Sequence, residues 1–268
     1  MSFASRPPRD PRLARLVGCL WCGRRKSGGG MERVLPTGGL QLVIDLEADG
    51  RATVVGPSTR FALVRSEEMR HTAGIAFLVG GGRPVLRVPA AELRDAVVDL
   101  AALTGPAAAE SLRARLAQLA DDPDRALDRL EAFALGRLAG GPPRGEAGAG
   151  AGLAPDHGPD PAVAAALRLL AAGTPVAETV EATGLARATL IRRFASEVGL
   201  SPKQWAGLAR LKRASQALAE GRPRLADLAL DCGFADQAHF TRAFTAYAGV
   251  PPSAWRPVSA AEANHARA

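Results

Sequence analysis

The chain is poor in the residues that build covalent, metal or membrane frameworks. Its 268 residues include three cysteines, four histidines and a single tyrosine. Three cysteines cannot form an even disulfide framework. A closed structural zinc site wants four ligands, and His71, His157, His239 and His265 are nowhere paired at ligand spacing, so neither a metal nor a cofactor is expected. No apolar run approaches the ~20 residues needed to cross a bilayer. Leu16 to Trp21, behind a basic N-terminus, is too short for a signal-peptide core. A cytoplasmic protein with no membrane partner is therefore expected. No nucleophile, base and orienting group stand at interpretable spacing, so no catalytic residue is assigned and the chain is not read as an enzyme.

Lysine is almost absent too: three against 31 arginines. With alanine, glycine and proline abundant, this is the bias of a GC-rich bacterial genome rather than a functional device. The charge is unevenly placed. Residues 1–33 carry a net +6, residues 34–175 a net −3 and residues 176–256 a net +4, within a total of +7. Basicity at the two ends suits a C-terminal region that meets phosphate and a middle that does something else.

What the chain does hold is an internal repeat. Val176, Ala177, Gly184 and Leu185 recur 49 residues on as Leu225, Ala226, Gly233 and Phe234. Leu190, Arg192, Phe194, Gly199, Pro202 and Trp205 recur 50 residues on as Phe240, Arg242, Phe244, Gly249, Pro252 and Trp255. Such a match describes two copies of one supersecondary unit. Each copy reads as helix, glycine turn, helix. In the first, Ala177 and Val180 face inward before Gly184, then Leu190, Phe194 and Val198. In the second, Leu225, Leu228 and Ala229 precede Gly233, Asp236 is a plausible N-cap, and Phe240, Phe244 and Tyr247 are buried. Ser201-Pro202-Lys203-Gln204 starts a connecting helix with an N-cap, a proline in the first turn and a capping box. That helix carries Trp205, Leu208, Leu211 and Leu218 on one face and ends at Gly221 and Pro223. At ~1.5 Å per residue it is a rod of ~27 Å, able to hold two recognition helices near the ~34 Å repeat of successive major grooves.

Residues 160–256 resemble the DNA-binding domain of the AraC/XylS transcription regulators. The resemblance is carried by the run from Leu225 to Phe244, with Gly233-Phe234, Asp236, Phe240, Arg242 and Phe244 at the family's spacing, then Gly249-Val250-Pro251-Pro252 and Trp255-Arg256. It implies that the second helix of each copy enters the major groove of double-stranded promoter DNA. The implied base-facing residues are Arg187, Ala188, Ile191 and Arg192 in the first copy and Gln237, Ala238, His239 and Arg242 in the second. Arg192 and Arg242 suit guanine O6 and N7, and Gln237 suits adenine. Thr189, Thr241 and Lys203 are the phosphate candidates. The first copy departs from the family pattern in Val180 and in Ala186, where a serine cap is common. Ala188 and Ile191 offer no hydrogen bonds, so the second copy is expected to discriminate sequence more. RNA polymerase, a small-molecule effector and a second copy of the chain are further candidate partners.

The N-terminal half reads as a small antiparallel sheet or barrel with helices, giving an α+β domain tethered to an all-α double helix-turn-helix domain. Strands are expected at Leu40 to Leu46, Ala52 to Val55, Phe61 to Arg65, Thr72 to Val79 and Val85 to Val88, with a turn at Ala48-Asp49-Gly50-Arg51. Helices are expected at Ala91 to Leu103, Ala107 to Ala120 and Asp124 to Ala139. The stripes Leu112, Leu116, Leu119 and Leu127, Leu130, Phe133, Ala134, Leu138 pack beneath the sheet or, less favoured, form a dimer contact. The segments Arg33-Val34-Leu35-Pro36, Leu42 to Leu46, Gly74-Ile75-Ala76-Phe77 and Val88-Pro89-Ala90-Ala91-Glu92-Leu93 look like the N-terminal domain of one branch of the same regulators. Gly80-Gly81-Gly82 lacks the following Gly-Lys-Ser/Thr of a phosphate loop and reads as a turn. His71, Arg65, Glu67 and Glu68 line a pocket or decorate strand ends.

The expected division is 1–138 for sensing or dimerisation, 139–160 as a Gly/Pro-rich linker, 161–258 for DNA binding and 259–268 as a tail. Such a linker lets the domains move independently unless a ligand docks them. Cys19-Leu20-Trp21-Cys22 leaves one alternative open, a thiol- or metal-responsive regulator or an enzyme-regulator fusion using Cys19 or Cys22. Packing around Trp21 is the favoured reading. The alkylation-response regulators, which share the DNA-binding architecture, need four cysteines in the zinc domain where this chain has two.

Overall fold

The computed structural model describes residues 2–24, 30–47, 49–65, 70–140, 159–221 and 224–255. Residues 141–158, most of the expected linker, lie outside it, as do Ala48, Glu67, Glu68, Pro223, Arg256 and the tail. In the N-terminal half a six-stranded antiparallel sheet forms. Strand β1 (Ser2–Arg6) pairs with β2 (Val17–Arg24), and β2 with β7 (His71–Phe77). β7 then pairs with β4 (Gln41–Asp45), β4 with β5 (Ala52–Val55), and β5 with β8 (Val97–Asp99). A separate ribbon joins β3 (Met31–Val34) and β6 (Ala62–Arg65).

Alternation sets which face is buried. Leu42 and Ile44 on β4 and Ala52 and Val54 on β5 enter the core, while Gln41, Val43 and Thr53 are half-buried. Helices α3 (Pro106–Gln118) and α4 (Pro123–Ala139) cover that face through Leu112, Leu116, Leu127, Leu130 and Ala134. Both stripes are thus used inside the domain. Arg6 fastens β1 to α4 by ion pairs of 2.6 Å to Asp128 and 2.7 Å to Glu131, and Glu131 also accepts from the Asp10 amide.

Three expectations are corrected. Val85 to Val88, expected as a strand, falls on helix α1 (Arg83–Leu86) and its exit. Pro84 sits in the first turn, where its missing N–H costs nothing, and Val85 and Leu86 go to the core. The helix expected over Ala91 to Leu103 divides into a 3-10 turn at Ala90–Leu93, the strand β8 and helix α2 (Leu100–Thr104). There the open edge of β5 takes up the β-branched pair Val97 and Val98. The third correction is an omission: β1 and β2 fall in a stretch read as basic, with a short apolar run and a CxxC packed around Trp21, but not as strands. β2 is covered along nearly its whole length, with Leu20, Trp21 and Cys22 all buried, which erases the period-two signal.

The glycine triplet is a packing device. A side chain on Gly81 would meet the Leu16 carbonyl at 2.3 Å, and one on Gly82 would meet Leu40. His71 is buried at the start of β7, with Arg24 Nη2 3.3 Å from its Nδ1, and so serves the strand end rather than a pocket.

The C-terminal half is helical: α5 (Pro161–Ala172), α6 (Val176–Thr183), α7 (Arg187–Val198), α8 (Pro202–Glu220), α9 (Leu225–Asp231) and α10 (Gln237–Ala248). Its core is separate from that of the sheet. The two halves nevertheless touch. Leu35 and Val79 pack on the helical core, and the backbone of Gly38 lies against Trp205 and Leu208. The two halves are in contact at these places, where the linker composition suggests independence.

Candidate nucleic-acid interface

The two helix-turn-helix units are α6–α7 and α9–α10. Each turn closes on a left-handed glycine, Gly184 at φ 66 and Gly233 at φ 76, a region that costs other residues energy. Leu190, Phe194 and Val198 on α7, and Phe240, Phe244 and Tyr247 on α10, recur at helical spacing and are buried. In the second unit the aromatic rings form a chain: Phe234 to Phe240 at 5.2 Å, Phe240 to Phe244 at 5.6 Å and Phe244 to Trp255 at 5.8 Å. Tyr247 is buried beside Ser215, and burial pushes its phenol up to about 12. The connecting helix α8 starts as its sequence suggests. Ser201 accepts from the Gln204 amide, and the Gln204 side chain accepts from the Ser201 amide.

With these apolar stripes turned inward, the opposite stripes are left in solvent. Arg187, Ala188, Ile191 and Arg192 are exposed on α7, and Gln237, Ala238, His239 and Arg242 on α10. Lys203 is exposed at the start of α8, while Thr189 and Thr241 are half-buried. Among the described residues the side chains of Arg187, Arg192, Lys203 and Arg242 make no hydrogen bond or ion pair. Neighbouring arginines are occupied. Arg193 pairs with Asp160 at 2.7 Å, Arg210 donates to the Gly233 carbonyl at 2.7 Å and Arg213 donates to Ala171. The structure therefore divides the basic residues into those that hold the fold and those with hydrogen-bonding capacity to spare.

The units differ in local order. Ala186 provides no cap for α7, whereas Asp236 accepts from the His239 amide at 2.6 Å at the start of α10. The His239 ring packs edge-on against Phe234 at 5.4 Å. One inward reading is corrected. Ala177 is exposed, and the buried position of α6 is Thr179, equivalent to Leu228. Burial is tolerated because its hydroxyl donates to the Pro175 carbonyl at 3.0 Å. Arg210 was not visible in the sequence. It stacks on Phe234 at 4.8 Å and holds the turn of the second unit through a backbone carbonyl, a partner that no residue pattern marks.

Glu197, near the end of α7, accepts from the Asp160 amide at 3.0 Å. Burial, with a further contribution from the Asp160 carboxylate, pushes its carboxyl up to about 7 against the opposing amide bond and the charges of Arg83 and Arg193. Cys19 and Cys22 stand three residues apart on the regular part of β2, so they point to opposite faces of the sheet and cannot clamp one ion or one partner. Burial pushes both thiols up, away from the reactive thiolate.

Paired helix-turn-helix units on one connecting helix, behind an antiparallel sheet domain, define a two-domain protein with a double helix-turn-helix at its C-terminal end. Residues 179–257 match a family described as helix-turn-helix domain, and residues 5–99 match a domain of unknown function (DUF6597). The chain is 36% identical over 77 residues to the HTH-type transcriptional regulator MtrA of Neisseria gonorrhoeae, covering 29% of this chain and 26% of that one. It is 33% identical over 101 residues to an AraC-like transcription regulator of Streptomyces lividans, covering 36% and 33%. Thus the chain spans about a quarter to a third of the length of these curated relatives. Among solved structures, an apo ToxT variant from Vibrio cholerae is similar over 94% of this chain and 96% of that one, at 13% identity and a TM-score of 0.40. Residues 179–257 thus form a helix-turn-helix domain, and the C-terminal part of the chain is similar to the corresponding part of AraC-like transcription regulators.

Proposed function

We propose that the protein is a sequence-specific regulator of transcription that lays α7 and α10 into successive major grooves of promoter DNA. The observation that carries this reading is the pair of unengaged, solvent-facing arginines at equivalent positions, Arg192 and Arg242. In this reading Arg187, Ala188, Ile191, Arg192, Gln237, Ala238, His239 and Arg242 face base edges, and Thr189, Thr241 and Lys203 meet phosphate. The capped start of α10 and the braced ring of His239 favour the second unit as the stronger reader. RNA polymerase and a second copy of the chain are partners within the same proposal, the cytoplasm is its setting, and no catalytic step is assigned. The N-terminal domain acts on occupancy through its contacts with the helical domain.

Genome-wide mapping of DNA bound by the native protein supplies the site, and titration of that site at several salt concentrations tests the mode. Affinity is expected to fall steeply with salt. Arg242→Ala is expected to lose about 1–3 kcal/mol of discrimination between the site and a scrambled sequence, with a smaller loss for Arg192→Ala. Equal weakening on both sequences by Arg242→Ala, with loss of preference in Arg192→Ala, would reverse the ranking. No salt-dependent binding to any duplex would end the proposal.

A further inference from the structure

Arg210, near the middle of α8, makes two contacts with the turn of the second helix-turn-helix unit. Its Nη1 donates to the Gly233 carbonyl at 2.7 Å, and its guanidinium lies over the Phe234 ring at 4.8 Å. Its Nε is buried, so the group is packed within the domain instead of reaching out of it. A charge-assisted bond to a carbonyl together with stacking on a ring fixes a planar guanidinium in both position and tilt. The ring it holds is itself a contact of α10. Phe234 meets the His239 ring edge-on at 5.4 Å and the Phe240 ring at 5.2 Å. His239 and Arg242, three residues apart, share the exposed face of α10, while Phe240 is buried. A line of contact therefore runs from the connecting helix, through one aromatic ring, to both the buried and the exposed side of α10.

The first unit supplies an internal comparison. Leu185 stands there in the place of Phe234 and offers no ring for a guanidinium to stack on. A side chain on Gly184 would meet nothing within 4 Å, whereas one on Gly233 would meet Arg210 Cδ at 3.7 Å. Arg213, three residues beyond Arg210 on α8, is committed elsewhere and donates to the Ala171 carbonyl in α5. The same supersecondary unit is thus built twice, with a guanidinium brace at its second turn.

We infer that Arg210 is a positioning residue for sequence reading: by fixing Phe234 against α8 it sets the tilt of α10 and the pose of His239 without touching DNA itself. Groups that recognise a ligand must be held to within about 0.5 Å by the residues behind them. The inference rests on the major-groove reading of α10 given above; the brace from Arg210 to Phe234 and His239 does not.

The test uses the full chain, titrated with its mapped site and with two altered duplexes. One is changed in the base pairs under α7 and the other in those under α10, assigned by the losses in Arg192→Ala and Arg242→Ala. Arg210→Gln is expected to shrink the penalty for the α10 change about tenfold. The penalty for the α7 change and the salt dependence are expected to stay as in wild type. Phe234→Leu, which installs the residue of the first unit, is expected to act in the same way and decides the question if Arg210→Gln does not fold. Arg213→Gln is expected to leave the α10 penalty unchanged. Proton chemical shifts of the His239 ring, set by its edge-on place against Phe234, are expected to move in Arg210→Gln, a readout that needs no DNA. Uniform weakening on all three duplexes with a shallower salt dependence would make Arg210 a phosphate contact. A lowered melting temperature with the α10 penalty intact would make its role structural alone. Either result overturns the inference, and unmoved His239 shifts overturn the brace. A wild type indifferent to both base changes would end the groove reading, and this inference with it.

Discussion

Two carboxyls with opposite environments show how much a single side chain decides here. Glu131 is 9% exposed and is held by Arg6, itself only 15% exposed, so each charge is compensated. Removing one partner leaves the other unpaired in a partly dry site, which typically costs ~3–5 kcal/mol when burial is complete. Because Asp128 also reaches Arg6, Glu131→Ala is expected to lose a smaller amount, about 2–3 kcal/mol in denaturant unfolding. Glu197 behaves in the contrary way. Its carboxyl is pushed up from 4.5 to about 7, so between those values the folded chain binds more protons than the unfolded one. Stability contributed by this group is therefore full below about 4.5, falls as pH rises and is lost above about 7, by on the order of 3 kcal/mol at most. Glu197→Gln keeps an acceptor for the Asp160 amide and has no charge to bury. Melting curves from pH 5 to 8 should show a flatter profile for this variant and greater stability than wild type at pH 8. An unchanged slope would place the origin of the pH dependence elsewhere.

Two glycine caps within the first helix-turn-helix unit allow a controlled comparison. Gly184 and Gly199 cap consecutive helices with almost the same backbone, φ 66 and φ 77. A side chain on Gly184 would meet nothing within 4 Å, whereas one on Gly199 would come within 2.4 Å of Pro57 and 2.7 Å of the Ala90 carbonyl. Gly184→Ala is therefore expected to cost only the left-handed strain of ~1–2 kcal/mol. Gly199→Ala should cost at least ~1 kcal/mol more by overpacking, because the obstacle is backbone. Equal losses in chemical denaturation would mean that the contact yields freely. These elements also show what the sequence discloses. Helices with a cap, a proline in the first turn and a terminal glycine, such as α8 with Ser201, Pro202 and Gly221, are legible because their signals are local. The exposed faces of α7 and α10 are legible for a related reason, since the repeat marks which positions are apolar and leaves the rest. Strand β2 was hidden because burial of both faces removes alternation. The break between the 3-10 turn and β8 was hidden because it answers to an edge 42 to 46 residues away in sequence, Thr53 to Val55. The left-handed backbone of Arg87, at φ 60 after α1, carries no residue signal at all.

At the scale of the whole molecule, the N-terminal domain reaches the helical domain at corresponding places in its two units. Gly199 caps α7 and packs under Pro57 and Ala90, and Gly249 caps α10 and packs under Phe61 and Arg33. Arg33 lies over the Phe61 ring at 5.6 Å, so this second contact is braced from its own side. Between them Gly38 sits on Trp205 and Leu208 of α8. A sheet domain that touches the ends of both second helices and the helix joining them constrains their relative placement, which is the quantity on which simultaneous entry into two grooves depends. Contacts at three places should also make the domains unfold together. The full chain is expected to show a single calorimetric transition, although its two hydrophobic cores are separate. Gly38→Val forces a β-branched side chain into the space of Trp205 and Leu208 from a φ of 75, and overpacking of this kind costs ~1–3 kcal/mol. A domain of about 100 residues shifts by ~4–8 °C per kcal/mol, enough to split the transition in two while the exposed face of each helix-turn-helix unit stays intact. Two resolved transitions in the unaltered chain would show instead that the contacts are too weak to couple the domains. The N-terminal domain would then constrain α7 and α10 only when something else draws it against them.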